Sequence, residues 1–517
     1  MSGFSWLAEL SARDPEQPLL IAGARRWRAG EVVREVGELA HRLSSCRVLG
    51  VLADNTPAWV LADLAAHEAG VVHLPLPGFF SAEQLRHALE QTAADVVLTD
   101  QPERIGALDI GFAIVGSWQG LIWMRRVVAA VELPPGTGKI SFTSGSTGAP
   151  KGVCLNGDGL IETACAVSER LFDLPLARHL AALPLALLLE NVAGIYSPLL
   201  RGLTIHLCPL QRLGWLGMAG FDPSALDAAA TQAEASSVIL VPELLKAWTA
   251  FLKASGRRPG SALVFVAVGG ARVAPELVAE ARQRGIPAYQ GYGLTEGGSV
   301  LTLNRPGDDG DDVGRPLRHA QIAVHGGEVF VETRAFLGYL GSIPSDTRTF
   351  ATGDLGEFDR PGHPGAKGHL RLSGRRKNLL ITSYGRNVSP EWPEAALLSD
   401  QRILQAVVFG DGQPVLSAIL VPQPGLPREA IEQAVCSANS TLPDYARISH
   451  WITGEPFTAA NGLATGNGRP LRQRIGDRYA GEIKAALPSS FCDRRESPWD
   501  DRRDSPWDNQ ENRNAVL

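Results

Sequence analysis

Along the first hundred residues, short apolar runs alternate with stretches whose apolar positions recur at helical spacing. Residues 47–53 read as a buried strand, 58–69 as an amphipathic helix, 70–75 as a second strand and 82–92 as a second helix. Strand–helix alternation of this kind predicts a doubly wound α/β sheet. The pattern returns at 237–241, 262–268 and 287–290, each strand following a helical segment. From about residue 310 the texture changes to shorter strands, such as 327–332, separated by Gly, Pro and Asp turns. A further α+β segment follows. Residues 406–410 and 416–421 predict paired strands around a Gly-Asp-Gly turn, and 428–439 a helix.

Length and composition narrow the class. A chain of 517 residues exceeds one ordinary core, so two or more domains are expected. A hydrophobic content of 44% with 20% charged residues belongs to globular proteins, and the net charge of −6 gives no argument for nucleic acid or an anionic membrane. The cysteines (Cys46, Cys154, Cys165, Cys208, Cys436 and Cys492) show no Cys-x-x-Cys spacing, which argues against a disulfide framework or a zinc site. The N-terminus carries Glu9, Arg13 and Asp14 in place of a basic-then-apolar signal layout. The apolar stretch 180–200 is interrupted by Pro184, Glu190, Asn191 and Pro198 and reads as buried core, not as a bilayer span. A cytoplasmic protein with no transmembrane segment is expected. The acidic run 306–312 lacks calcium-loop spacing and reads as a solvated loop. Residues 493–500 and 501–508 form a tandem charged octad containing Ser-Pro-Trp-Asp. It reads as part of a disordered tail, 488–517, with a Trp-anchored docking motif as the alternative.

The chemistry concentrates at 143–153, Thr-Ser-Gly-Ser-Thr-Gly-Ala-Pro-Lys-Gly-Val, directly after the strand-like run 139–142. Backbone amides, hydroxyls and a terminal cation suit a polyphosphate. Lys151 is followed by Gly152 and not by Ser or Thr, so this is not the Walker loop, and Gly136-Thr-Gly-Lys139 reads as a plain turn. Taken alone, the loop could equally be a structural Gly/Ser turn.

Three more motifs follow in order: Gln290-Gly-Tyr-Gly-Leu-Thr-Glu296, Thr352-Gly-Asp-Leu-Gly-Glu357, and the segment 373–391 beginning Ser-Gly-Arg-Arg-Lys-Asn. Together with the loop they resemble the adenylate-forming (AMP-binding) superfamily of acyl-CoA synthetases, luciferases and peptide-synthetase adenylation domains, and are most like the fatty acyl-CoA synthetases. The resemblance spans essentially residues 1–487. It implies a large multi-subdomain N-terminal AMP-binding domain, 1–374, and a smaller mobile α+β C-terminal lid, 375–487.

The resemblance also implies roles. Thr143, Ser144, Gly145, Ser146, Thr147, Gly148 and Lys151 would cradle the ATP phosphates. Gly270 and Ala271 would pass beside the adenine, and Tyr292, followed by Gly293, would stack on it. Thr295 would contact phosphate, and Glu296 would ligate Mg²⁺, a hard cation that wants oxygen ligands. Asp354 and Arg375 would hold the ribose. Lys377 would be the hinge about which the small domain swings between half-reactions, and Gly385 would lie on the face used for the second. Arg469 aligns with the lysine that relatives place between carboxylate and α-phosphate. Arginine keeps the charge but differs in length and geometry. Lys151, Thr295 and Arg469 are thus the catalytic candidates.

Residues 183–190 resemble the Leu-Pro-Leu-x-His-x-x-Glu stretch of fatty acyl-CoA synthetases, with Leu187 at the histidine position and Glu190 retained. No aspartate is placed to pair with an amino group, so an alkyl or aryl carboxylate suits the pocket. The expected activity is AMP-forming acid–thiol ligation of a fatty acid, using ATP, Mg²⁺ and coenzyme A. Two alternatives remain at this stage: transfer to a carrier protein, and a nucleotide-binding relative with impaired adenylation.

Overall fold

The strand Val48–Leu52 is buried along its whole length and lies parallel between Val72–Pro75 and Val96–Thr99. A strand covered on both faces needs a continuous apolar run, which Val-Leu-Gly-Val-Leu supplies. The computed structural model describes residues 3–143, 150–216, 220–308, 310–342, 349–359, 368–384, 386–466 and 468–486. Ser144 to Gly148, Gly385 and the 488–517 tail therefore lie outside the described residues.

Among the described residues, Val48–Leu52 belongs to an eight-stranded sheet running from Phe336–Tyr339 through Lys151–Asn156 and Thr137–Thr143 to the edge strand Ala113–Trp118. A nine-stranded sheet carries parallel strands at its centre, including Ser237–Leu240, Phe265–Val268 and Ala288–Tyr292. Helix Pro57–Glu68 is shared between the sheets. Thr56 caps it by accepting from the Trp59 amide, and Pro57 opens it. One hydrophobic cluster joins Leu49 of the first sheet, Trp59 and Leu64 of this helix, and Ile205 of the second sheet. A four-stranded antiparallel sheet, Ala320–His325 to Leu370–Arg375, completes the large part of the chain.

The turn Arg376–Asn378 leads out of that sheet, so Lys377 stands on the connection to the C-terminal part. There Ile403–Phe409 and Leu416–Pro422 pair antiparallel around the expected turn, and Ile448–Thr453 adds in parallel. Helices Glu391–Ser399 and Arg428–Ser440 contribute Leu397 and Val435 to a cluster that holds Val408 and Leu420 of these strands.

Two expectations are corrected. The strand expected at 262–268 is only Phe265–Val268, because the Leu263 amide bonds Gly260 in a turn. The acidic run is not simply solvated: Arg170 pairs with Asp308 at 2.5 Å, and Asp312 accepts from His369 Nδ1 at 2.9 Å. These half-buried carboxylates are thus satisfied by side chains as well as by water, Asp308 by a guanidinium and Asp312 by an imidazole N–H. No helix among the described residues is long and apolar enough to cross a membrane.

The two parts of the chain meet through Lys246, whose Nζ donates to the Asp400 and Ile403 carbonyls at 2.7 and 2.6 Å. Burial pulls this ammonium from its ordinary 10.5 down to about 8, against the opposing charge of Asp400. The undocked lysine regains its higher value and so binds the proton more tightly. Docking should therefore strengthen as pH rises from about 8 to 10.5. Inter-domain fluorescence transfer across that range should show the trend in wild type and lose it in Lys246→Met.

Candidate active site

Parallel strands present their ligand-binding loops at their carboxyl ends. In this chain Thr137–Thr143 runs into the Gly/Ser loop, Phe265–Val268 into Gly269-Gly270, and Ala288–Tyr292 into Gly293 to Glu296. These ends face one cleft of about 2780 Å³, closed on its other side by the C-terminal part. Thr143, Lys151, Gly270, Tyr292, Gly293, Thr295, Glu296, Arg375, Lys377 and Arg469 all line it. Ala271 is exposed and does not line this wall. Gly293 is required by packing, since a Cβ there would overlap the Ser299 carbonyl.

Tyr292 and Asp354 form one unit with Arg375. The Tyr292 hydroxyl donates to Asp354 Oδ2 at 2.7 Å, and Arg375 Nε donates to Asp354 Oδ1 at 2.8 Å. Burial, then the Asp354 charge, raise the phenol well above its ordinary value, so it stays a donor. Asp354 is itself buried behind these partners, and each of its oxygens keeps a second lone pair for a hydroxyl.

Glu296 sits in the short turn Thr295–Gly297. Its Oε1 accepts from the Tyr339 hydroxyl at 2.8 Å, and among the described residues nothing donates to Oε2. A carboxylate oxygen left open in a cleft that Thr295 and Lys151 also line fits a magnesium ion shared with phosphates.

Arg469 is carried by a tight turn in which the Thr465 hydroxyl accepts from the Arg469 amide at 3.0 Å, with Ala464 bridging Pro470. The turn is pressed against the N-terminal part: a Cβ on Gly466 would come within 3.2 Å of the Phe79 carbonyl. The Arg469 guanidinium makes no hydrogen bond or ion pair with the described residues. Desolvation inside the cleft and then Arg375 pull its pKa below the ordinary value, while Glu391 and Asp354 oppose them. Arginine remains charged under such shifts. It is an unfilled cation facing the cleft, in the field of a second arginine, which an entering anion would relieve.

The cleft continues as an arm lined by Leu171, Leu176, Leu187, Leu189, Ala193 and Phe265. No carboxylate is found on this arm among the described residues. Glu190 does not line it. Its π-helical segment, Glu190–Tyr196, turns the carboxylate inward, where it accepts from the Leu183 amide at 3.0 Å and faces His179 Nε2 at 2.9 Å. His179, which also bonds Ser237 at 3.0 Å, is a polar residue of the wall that the pattern of residues 183–190 does not reveal, and Ser197, Ser237 and Arg201, the last donating to the Leu171 carbonyl at 2.8 Å, line it too. Tyr339 is another omission. It is 43 positions from Glu296, and no local pattern marks it.

The chain's likeness to known proteins extends over most of its length. The family model described as AMP-binding enzyme matches residues 7–332, and that of the AMP-binding enzyme C-terminal domain matches 377–489. A 2-succinylbenzoate–CoA ligase of Bacillus pumilus is 24% identical over 496 residues, covering 89% of this chain and 96% of its own. The long-chain-fatty-acid–CoA ligase FadD15 of Mycobacterium bovis is 25% identical over 530 residues, covering 83% and 86%. The o-succinylbenzoate CoA synthetase of Bacillus subtilis, solved with its acyl-adenylate intermediate, shares the fold with a TM-score of 0.73. It is 21% identical, covering 92% of this chain and 98% of its own, and the same enzyme has been solved with ATP and magnesium. With the first family model matching more than half of its length, the chain belongs to the AMP-binding enzymes of the adenylate-forming superfamily, and acyl- and aryl-CoA ligases are its relatives.

Proposed function

We propose that this chain is an AMP-forming CoA ligase for an apolar carboxylic acid, a fatty acid in the narrower reading. A single observation carries this: a nucleotide-type wall, an unfilled arginine and an apolar arm open into one cleft. In the first half-reaction a carboxylate oxygen bonds to the α-phosphorus of ATP, and the bond to the leaving pyrophosphate breaks. In the second, the sulfur of CoA bonds to the acyl carbon, its thiol proton passes to solvent, and AMP leaves.

Lys151, with Thr143 and the loop it closes, holds the leaving phosphates. Tyr292 presents its ring to adenine beside Gly270, and Asp354 with Arg375 engages the ribose. Thr295 contacts phosphate, and Arg469 spans the carboxylate and the α-phosphoryl group, where negative charge develops. Glu296 would hold the magnesium ion, which would supply neutralisation of phosphate charge when bound. Residues 1–374 form the nucleotide domain, and 375–487 form the lid, turning at Lys377. The arm supports an apolar acid because an ammonium buried there would have no carboxylate partner.

Pyrophosphate release measured over short, medium, long and aromatic acids, each with and without CoA, tests the reading. Release with medium or long alkyl acids, together with CoA-dependent AMP formation, is expected. Turnover of aromatic acids alone would replace the fatty acid with an aryl substrate. Acid-dependent exchange without any CoA-dependent step would remove the ligase reading.

A further inference from the structure

Tyr339 ends the strand Phe336–Tyr339, which pairs antiparallel with Lys151–Asn156 and sets Tyr339 opposite Val153. The register shifts between Phe336 and Gly338, a bulge of the kind that re-aims a side chain. The tyrosine is thereby turned into the cleft wall. Its ring is braced edge-on by Phe336, with centroids 5.4 Å apart. Its hydroxyl donates to Glu296 Oε1 at 2.8 Å, and Lys151 Nζ lies over its ring, 5.8 Å from the centroid. One side chain thus touches both the open carboxylate and the cation at the end of the Gly/Ser loop.

We propose that Tyr339 is a positioning residue that fixes Glu296 for the divalent cation and keeps Lys151 on the phosphate side of it. This rests on Glu296 being the cation's ligand, as set out above. Without the phenol, a glutamate free to rotate could swing onto the Lys151 ammonium and withdraw both groups from the phosphates. The donated hydrogen bond occupies Oε1 and leaves Oε2 as the oxygen for the metal. The ring's electron-rich face holds the lysine without neutralising it.

The test is binding, not turnover. Mn²⁺ affinity in the presence of a non-hydrolysable ATP analogue is titrated by electron paramagnetic resonance for wild type, Tyr339→Phe, Glu296→Gln and the double variant. AMP affinity without metal is measured alongside. Loss of one hydrogen bond should weaken Mn²⁺ binding about three- to tenfold in Tyr339→Phe. The double variant should be no weaker than Glu296→Gln, since both act through one carboxylate. Metal-free AMP affinity should be unchanged. Wild-type Mn²⁺ affinity in Tyr339→Phe, with Glu296→Gln impaired, would overturn the proposal. An equal loss of AMP affinity would also overturn it by making the tyrosine a general support of the cleft. If Glu296→Gln itself binds Mn²⁺ normally, the metal assignment fails first, and the two failures are distinguishable.

Discussion

Replacing Arg469 with alanine is expected to slow acyl-adenylate formation by about 10²–10³-fold, the scale of removing one preorganised charge-stabilising donor. The guanidinium has no partner among the described residues, so its loss should not disturb packing. It also relieves the repulsion from Arg375. The melting temperature should therefore stay at the wild-type value or rise slightly while the rate falls. Acid-dependent pyrophosphate exchange reports the first half-reaction, and CoA-dependent consumption of synthetic acyl-AMP reports the second. Only the first should collapse, because the arginine acts where charge grows on the α-phosphoryl group. Arg469→Lys keeps the charge and should recover part of the rate, since a point charge replaces a two-oxygen fork. Equal loss in both half-reactions would place Arg469 in general substrate binding instead. Pyrophosphate exchange that is absent in wild type and appears in Arg469→Lys would mean that the natural arginine blocks adenylation.

The site was legible where chemistry is local. Gln290 to Glu296 are contiguous and need only the end of one strand to reach the cleft, as do Thr143 and Lys151 at the two ends of the Gly/Ser loop, whose residues 144–149 lie outside the described residues. Arg469 was legible through alignment on a family pattern, while its lack of a protein partner is visible only in three dimensions. Tyr339 was silent because its meaning lies in a bulge and in a residue of a turn distant in sequence. Glu190 illustrates the opposite error. Retained from a pocket motif, it does not line the cleft, because its carboxylate is taken by the Leu183 amide and by His179, partners that the motif does not name. The acidic run was read by composition alone, and composition does not reveal that Arg170 and His369 are brought to it from afar.

Lys139 is the largest such case and supports the second strong expectation. It opens the strand-like run 139–142 and closes what reads as a plain turn, 136–139, with nothing to mark it as a buried charge, whereas the strand observed is Thr137–Thr143. In the fold its ammonium is buried, donating to Asp63 at 2.8 Å, to the Tyr196 hydroxyl at 3.1 Å and to Asn191. Asn191 in turn donates to the other Asp63 oxygen at 2.6 Å. His73 Nδ1 stands 2.6 Å from Asp63 without hydrogen-bond alignment. Lys139→Met removes the cation and strands a buried carboxylate, which should cost about 3–5 kcal/mol and lower the urea midpoint accordingly. The double variant Lys139→Met, Asp63→Leu leaves no charge to strand and should regain much of that loss.

The sign with pH follows from Asp63. Burial alone would raise its pKa, but Lys139 and then His73 hold it well below the usual carboxylate range. Its contribution in wild type is present above the unfolded value of about 3.9 and is lost as pH falls below it. Without Lys139 the buried carboxyl has a raised pKa and penalises folding above that same unfolded value. The gap between wild type and Lys139→Met should therefore narrow as pH falls from 7 through about 4. A gap that stayed constant with pH would mean that the loss comes from packing of the lysine stem, not from the stranded charge. The network joins the strand leading into the phosphate-type loop to the π-helix beside the apolar arm. Its destabilisation should therefore weaken acid and nucleotide binding together, unlike Arg469→Ala, which leaves the walls of the cleft standing.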